Sequence, residues 1–272
     1  MPQPTIDVER LSLVIEIGGV PVRLNTTDAA FLKMLQERYS GYVGPPSGNS
    51  VVEFDVELIA PGTRSSDADV HVTTQQGRWM IERGDFHAEW KPATRQGLIR
   101  QVANRYSIDA VLRIVHTIVL AKEGGFLLHS ASAIRNGKAF LFAGVSEAGK
   151  TTISRLAPPD VTLLTDEISY VRKRGEGYAA FGTPFTGELA KLGENVSAPV
   201  ETLYLLAKGP ENRIEPVPPG EATRSLLANL LFFAEDEELV QEIFHSAFEF
   251  VSRVPVARLT FVPDARVWEL IG

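Results

Sequence analysis

The stretch Gly144-Val145-Ser146-Glu147-Ala148-Gly149-Lys150-Thr151 fits G-x-x-x-x-G-K-[ST], and it constrains the architecture more tightly than anything else in the chain. Two glycines let the backbone curl until its N–H groups converge on phosphate oxygens. The lysine then reaches the terminal phosphates and the hydroxyl coordinates Mg²⁺. Such a loop needs a strand before it and a helix after it. Lys138–Ala143 is a short apolar run bounded by turn residues, as a buried strand is, and Thr151–Ala157 can form a helix that Pro158-Pro159 stops. Strand, loop and helix together predict a nucleoside triphosphate site spanning Gly144 to Thr152, with Val145, Ser146, Glu147, Ala148, Gly149, Lys150, Thr151 and Thr152 around the phosphates. The competing reading is a chance glycine turn.

The residues just upstream limit the sheet. Phe126–Ile134 reads as a second strand, and Asn136-Gly137 between it and the loop-bearing strand is the strongest short hairpin signal. The strand that enters the phosphate loop therefore has an antiparallel neighbour, unlike a doubly wound domain in which helices connect parallel strands. Downstream, Val161–Thr165 is a strand ending in Asp166-Glu167. An acid closing an apolar strand soon after a phosphate loop is placed to hold Mg²⁺ or polarise a nucleophile. Adjacent strand residues face opposite ways, so one of the pair points at the cation unless the strand breaks there. Asp166, the shorter acid, is favoured over Glu167; the competing reading is a solvated acidic turn.

The first part of the chain has a different texture. Leu11–Ile17, Gly18-Gly19 and Val20–Leu24 read as a β-hairpin, and a helix capped at Thr27 carries Phe31, Leu32, Leu35 and Tyr39 to about Gly41. Period-two alternation then runs through Val52–Leu58, Val70–Val72, Trp79–Ile81 and Phe86–Trp90, which predicts one antiparallel meander with no catalytic spacing. From Ser107 the period becomes helical, with Leu112, Val115 and Val119 on one stripe and Gly124-Gly125 as the stop. The expected organisation is an antiparallel β-rich domain with one helix over 1–95 and a mixed-sheet nucleotide domain over 96–272, an α+β or α/β chain. Gly182–Glu188, turn-rich and carrying a hydroxyl and a carboxylate, reads either as a substrate loop or as an ordinary connection. Val200–Ala207 is a further strand, Glu221–Phe233 and Glu238–Val251 are amphipathic helices, and Val256–Phe261 and Val267–Ile271 are closing strands. Arg224, Arg253 and Arg258 are more often surface ion pairs than ligands at such places.

Composition excludes several classes. A formal net charge of −7 leaves no cationic footprint for duplex nucleic acid or anionic membranes. The absence of cysteine excludes disulfides, thiolate metal sites and cysteine nucleophiles. Met1–Asp7 shows no secretory signal, and the longest apolar helical stretch, Val111–Ala121, is too short and too polar to span a bilayer. A cytoplasmic protein is expected, and a homo-oligomer is left open.

His129 in Leu127-Leu128-His129-Ser130, the Asn136-Gly137 turn, the phosphate loop and Asp166-Glu167 occur in one order at close spacings over Ile108–Leu192. As a set they resemble the catalytic domain of HPr kinase/phosphorylase and the HPr-kinase-related paralogues, whose core is similar to that of phosphoenolpyruvate carboxykinase. The resemblance implies ATP and Mg²⁺ bound by Lys150 and Thr151, His129 beside the phosphates, and Asp166 as base towards a serine of a protein or peptide acceptor. Three features depart from that pattern. Glu147 stands where glycine is frequent, Glu167 replaces a second Asp, and the glycine-rich signature of phosphorolysis has no counterpart. The N-terminal part is closer to paralogues linked with peptide-modification gene clusters, so HPr itself is not the expected acceptor.

The expected activity is ATP-dependent phosphoryl transfer to a hydroxyl, assisted by backbone amides, Lys150 and Mg²⁺ held by Thr151 with Asp166 or Glu167. A nucleotide-responsive binding module without transfer chemistry is the alternative. A plain NTP hydrolase lacks a recognisable water-positioning residue.

Overall fold

Left-handed residues set the chain reversals. The computed structural model describes residues 10–48, 50–61, 69–233 and 236–272; Met1–Asp7, where no secretory signal is read, lies outside them. Gly18 and Gly19 have φ of +60° and +76°, the primed turn that matches strand twist, so β1 (Leu11–Ile17) and β2 (Val20–Thr26) form the expected hairpin. Helix α1 (Ala29–Arg38) starts one residue later than expected, because Asp28, not Thr27, accepts the Phe31 N–H at 2.8 Å.

The first sheet orders β1-β2-β3-β7-β6-β5-β4, with β3 Val52–Leu58, β4 His71–Gln75, β5 Arg78–Arg83, β6 Phe86–Lys91 and β7 Gln96–Gln101. It is mixed, which corrects the expected antiparallel meander. From β3 onward, β4 to β7 run antiparallel in sequence, while β3 lies parallel to both β2 and β7. The expected boundary at residue 95 separates β6 from β7, two strands that pair with each other over six residues on each side. The chain instead falls into two compact units, one ending at Leu112 and the other beginning at Arg113, a division inside α2 (Arg105–Lys122). Asn104 caps α2 by accepting the N–H groups of Tyr106 and Ser107.

The second unit is built around β8 (Phe126–Arg135) and β9 (Lys138–Ala143), joined by Asn136-Gly137 at φ +50° and +74°. They pair antiparallel, as that turn predicts. The other edge of β8 takes two strands end to end. Its second half pairs with β10 (Thr162–Thr165) and its first half with β11 (Ile168–Arg174). β12 (Gly177–Phe181) follows β11, and β13 (Ser197–Lys208) pairs antiparallel with β12 and parallel with β9, so pairing closes a circuit through β8, β11, β12, β13 and β9. β14 (Arg213–Pro216) and β15 (Val256–Phe261) extend the sheet beyond β13.

Helices α4 (Pro219–Asn229) and α5 (Glu237–Arg253) contribute Leu226, Ala247 and Phe250 to a core with Phe126, Leu128, Leu141 and Leu203. A second core holds Phe140, Phe142, Ile153, Tyr204, Phe261 and Trp268. The short helix after the phosphate loop, α3 (Lys150–Arg155), packs there, and the Trp268 indole donates to the Ile153 carbonyl at 3.1 Å. Val267–Ile271 is not the expected strand. Ala265–Leu270 forms a 3₁₀ turn capped by Asp264, and burial at 267, 268 and 271 follows a helical spacing rather than alternation.

Candidate functional site

Every residue of β9 from Ala139 to Ala143 is buried, so the strand delivers the loop from a fixed base. A β-carbon on Gly144 would lie 2.7 Å from Ala148 Cβ, and one on Gly149 would lie 2.7 Å from the Phe261 ring, with φ +114° in addition. These two positions require glycine. Between them Glu147 has φ +63°, the left-handed region in which a side chain is disfavoured. Glycine would suit that backbone; here a residue with a carboxylate occupies it. The Lys150 ammonium donates to the Gly144 carbonyl at 3.0 Å, folding over the loop.

A cavity of about 520 Å³ opens beside this loop. Ser146, Glu147, Gly149, Lys150, Thr151 and Thr152 form one wall. His129 enters from β8, Asp166 and Glu167 from the β10–β11 corner, Gly187 and Glu188 from the segment after β12, and Lys208 from the end of β13. The structure thus brings Lys150, Thr151, His129 and both acids together. Three of the expected phosphate-loop residues do not line the cavity: Gly144 supplies the carbonyl that Lys150 holds, Val145 is 78% exposed, and Ala148 is buried beneath the loop.

Both acids reach one cavity because the strand does break between them. β10 ends at Thr165 and β11 begins at Ile168, whose register partner is His129. The Thr165 hydroxyl receives the N–H groups of Glu167 and Ile168 at 3.1 Å and donates to the Phe185 carbonyl, which fixes the corner. Asp166 is 6% exposed; its Oδ1 accepts the Gly187 N–H and its Oδ2 the Leu189 N–H, each at 2.9 Å. Glu167 lies 3.9 Å from Arg113, whose guanidinium stacks over the Phe185 ring at 5.0 Å.

Burial lowers the Lys150 pKa, opposed by the Glu167 charge. Burial also lowers that of His129, reinforced by Lys150 and Arg113 and opposed by a hydrogen bond with the Glu167 backbone. The imidazole is therefore neutral near pH 7, a hydrogen-bonding group rather than a cation. Four carboxylates, Glu147, Asp166, Glu167 and Glu188, line the cavity with two lysines, Lys150 and Lys208, so the cavity repels a bare polyanion and accepts one whose charge a divalent cation has reduced. Among the described residues no three His, Cys, Asp or Glu side chains cluster as a metal centre. The hydroxyl and carboxylate oxygens of Thr151, Asp166 and Glu167 are hard donors, a set that fits Mg²⁺ sharing its shell with phosphates and water.

Lys208 and Arg113 were not picked out from the sequence, and Glu188 only as part of a turn-rich segment. Lys208 carried a signal, since it follows the apolar run Leu203–Ala207 where parallel strands end, and ligands gather at such ends. Arg253 and Arg258 lie in ion pairs, with Glu176 and Glu249 and with Glu221, as expected of surface arginines. A larger cavity, about 740 Å³, opens on the polar face of the first sheet. Most of its charges are paired with one another, Arg10 with Glu53 and Asp55 and Arg78 with Glu89.

A family model described as SynChlorMet cassette protein ScmC matches residues 100–272. No curated protein matches the chain. Among solved structures, one titled as the Hpr(Ser) kinase/phosphatase from Coxiella burnetii aligns at 14% identity over 44% of this chain and 93% of its own, with a TM-score of 0.24. So loose a superposition carries no argument. No helix among the described residues is long and apolar enough to cross a membrane.

Proposed function

The chain belongs to the SynChlorMet cassette protein ScmC family, and on that footing we propose that it is an ATP-dependent phosphotransferase acting on a hydroxyl, a serine of a protein or peptide. The observation that carries this reading is the convergence of Lys150, Thr151, His129 and the Asp166–Glu167 corner on one cavity beside a glycine-hinged loop. The HPr-kinase-like order of motifs supports it, and ATP as donor places the reaction inside the cell.

Phosphoryl transfer asks a protein mainly for alignment and charge neutralisation. Lys150 would exchange the Gly144 carbonyl for phosphate oxygens, and loop amides would meet charge on the γ-phosphoryl group as it moves. One such preorganised donor contributes about 3–4 kcal/mol to the transition state. The acceptor oxygen attacks the γ-phosphorus, the bond to the β,γ-bridging oxygen breaks, ADP leaves with that electron pair, and the hydroxyl proton passes to a corner carboxylate. Mg²⁺, held through Thr151 and that corner, would neutralise the triphosphate. His129, neutral, would orient oxygen atoms at the cavity rim.

Glu147 on the phosphate loop favours a second reading, a nucleotide-responsive binding module. Transfer of label from γ-labelled ATP to cassette-encoded peptides separates the two, with Lys150→Ala as control. Label on a serine that the variant does not place supports the kinase, and Mg²⁺-dependent nucleotide binding without transfer supports the module. A wild-type chain whose melting temperature ignores ATP and Mg²⁺ refutes both, since saturation at 100 times Kd adds about 2.7 kcal/mol.

A further inference from the structure

Two acids that arrive as neighbours in sequence are held in different ways. Both carboxylate oxygens of Asp166 receive backbone N–H groups from the segment Phe185–Leu189, and Thr165 next to it donates to the Phe185 carbonyl. That segment lies against the corner so closely that a β-carbon on Gly187 would stand 2.9 Å from Asp166 Oδ2 and 3.1 Å from Glu167 Cβ. Asp166 is thereby closed in on the strap side at 6% exposure. The Glu167 side chain keeps 28% of its surface and lies near the Arg113 guanidinium. Its charge also acts on Lys150 across the cavity.

From this juxtaposition we propose that the pair divides its labour against the order expected from the sequence. Asp166 is a positioning residue that straps Phe185–Leu189 along the cavity wall, and Glu167 is the carboxylate that serves Mg²⁺ and the acceptor proton. The inference rests on the phosphotransferase reading for Glu167 alone. The strap belongs to the chain without any nucleotide. Sequence spacing cannot show this, because the strap begins nineteen positions after Asp166 and meets it only through the β11–β12 hairpin.

Two measurements on the full chain decide it. Amide hydrogen exchange without nucleotide reads the strap. Asp166→Asn, which turns an acceptor oxygen into a donor facing an N–H, speeds exchange at Gly187 or Leu189 about tenfold to a hundredfold, the range of a charge-assisted hydrogen bond, and Glu167→Gln leaves both amides unchanged. Titration of Mg²⁺ at fixed ATP, read by thermal shift, reports the cation. Glu167→Gln raises the half-saturating Mg²⁺ at least tenfold, whereas Asp166→Asn moves it no more than about threefold. If Asp166→Asn does not fold, Gly187→Ala, whose β-carbon would crowd Asp166 Oδ2, displaces the strap while keeping both acids, and it gives the same fast exchange at Leu189. Unchanged exchange in Asp166→Asn, or an unchanged Mg²⁺ requirement in Glu167→Gln, overturns the assignment. A wild-type chain that shows no ATP response brings down the phosphotransferase reading and the Glu167 role with it, and exchange still decides the role of Asp166.

Discussion

Replacing Glu147 in turn by glycine, alanine and glutamine separates two costs that the native residue combines. Its φ of +63° places a β-carbon in the left-handed region, a penalty of about 1–2 kcal/mol for a non-glycine residue. Glycine removes that penalty and returns about 0.5–1 kcal/mol as extra freedom of the unfolded chain, a net gain of about 0.5–1 kcal/mol. In a chain of this size the gain corresponds to about 1–4 °C in melting temperature. Alanine and glutamine keep the β-carbon and gain nothing. The second cost is charge, because the carboxylate lines the cavity in which a triphosphate would sit. Two unit charges about 7 Å apart near a solvated surface repel by about 1 kcal/mol after screening by physiological salt. Removing the charge thus tightens ATP binding about fivefold in all three variants, more at low ionic strength. Scanning fluorimetry of the apo chains reads the first term, and calorimetric titration with ATP and Mg²⁺ at two salt concentrations reads the second. Equal melting temperatures for the glycine and alanine variants would refute the backbone argument. Affinities in Glu147→Gln that match wild type at both salt concentrations would refute the electrostatic one.

The two histidines with lowered pKa predict how stability depends on pH. Burial pushes His116 down to about 3, and His129 is shifted the same way from 6.5, so below pH 6.5 the unfolded chain binds more protons than the folded one. Stability is therefore full above pH 6.5 and falls as the pH drops, with a slope of up to about 1.4 kcal/mol per unit from fully buried His116 and a shallower one from half-buried His129. Urea unfolding at pH 7, 6 and 5 should show a flatter dependence in His116→Gln, and a parallel dependence would contradict the assignment. Gly193→Ala tests the packing on β10 of the chain just after the strap, since the new β-carbon would meet the Leu164 carbonyl at 1.7 Å. A loss of about 3 kcal/mol is expected in chemical denaturation, and a loss below 1 kcal/mol would mean that the chain at Gly193 is not held against β10.

Much of the candidate site was legible because its elements are specified by neighbours in sequence. Asn136-Gly137 encodes a left-handed turn through the sterics of those two residues alone, and that turn made β8 and β9 antiparallel. The phosphate loop was visible for the same reason, down to the awkward Glu147. Strands whose burial depends on distant partners were not visible. β7 has a single buried apolar residue, Ile99, and β11, β12 and β14 also went unread, although β7 and β11 decide what lies beside β3 and β8. The parallel pairing of β3 was equally hidden, because alternation reports which face is buried and not which neighbour lies alongside.

The sequence by itself determined the turns, the glycine positions of the phosphate loop and the types of acid, base and cation near it. Only the tertiary structure decided what Asp166 and Glu167 each face, because the amides that hold Asp166 come from a strap reached through a hairpin. Backbone sterics act over a few bonds and are written locally. The partners of a buried carboxylate are chosen by how distant segments pack.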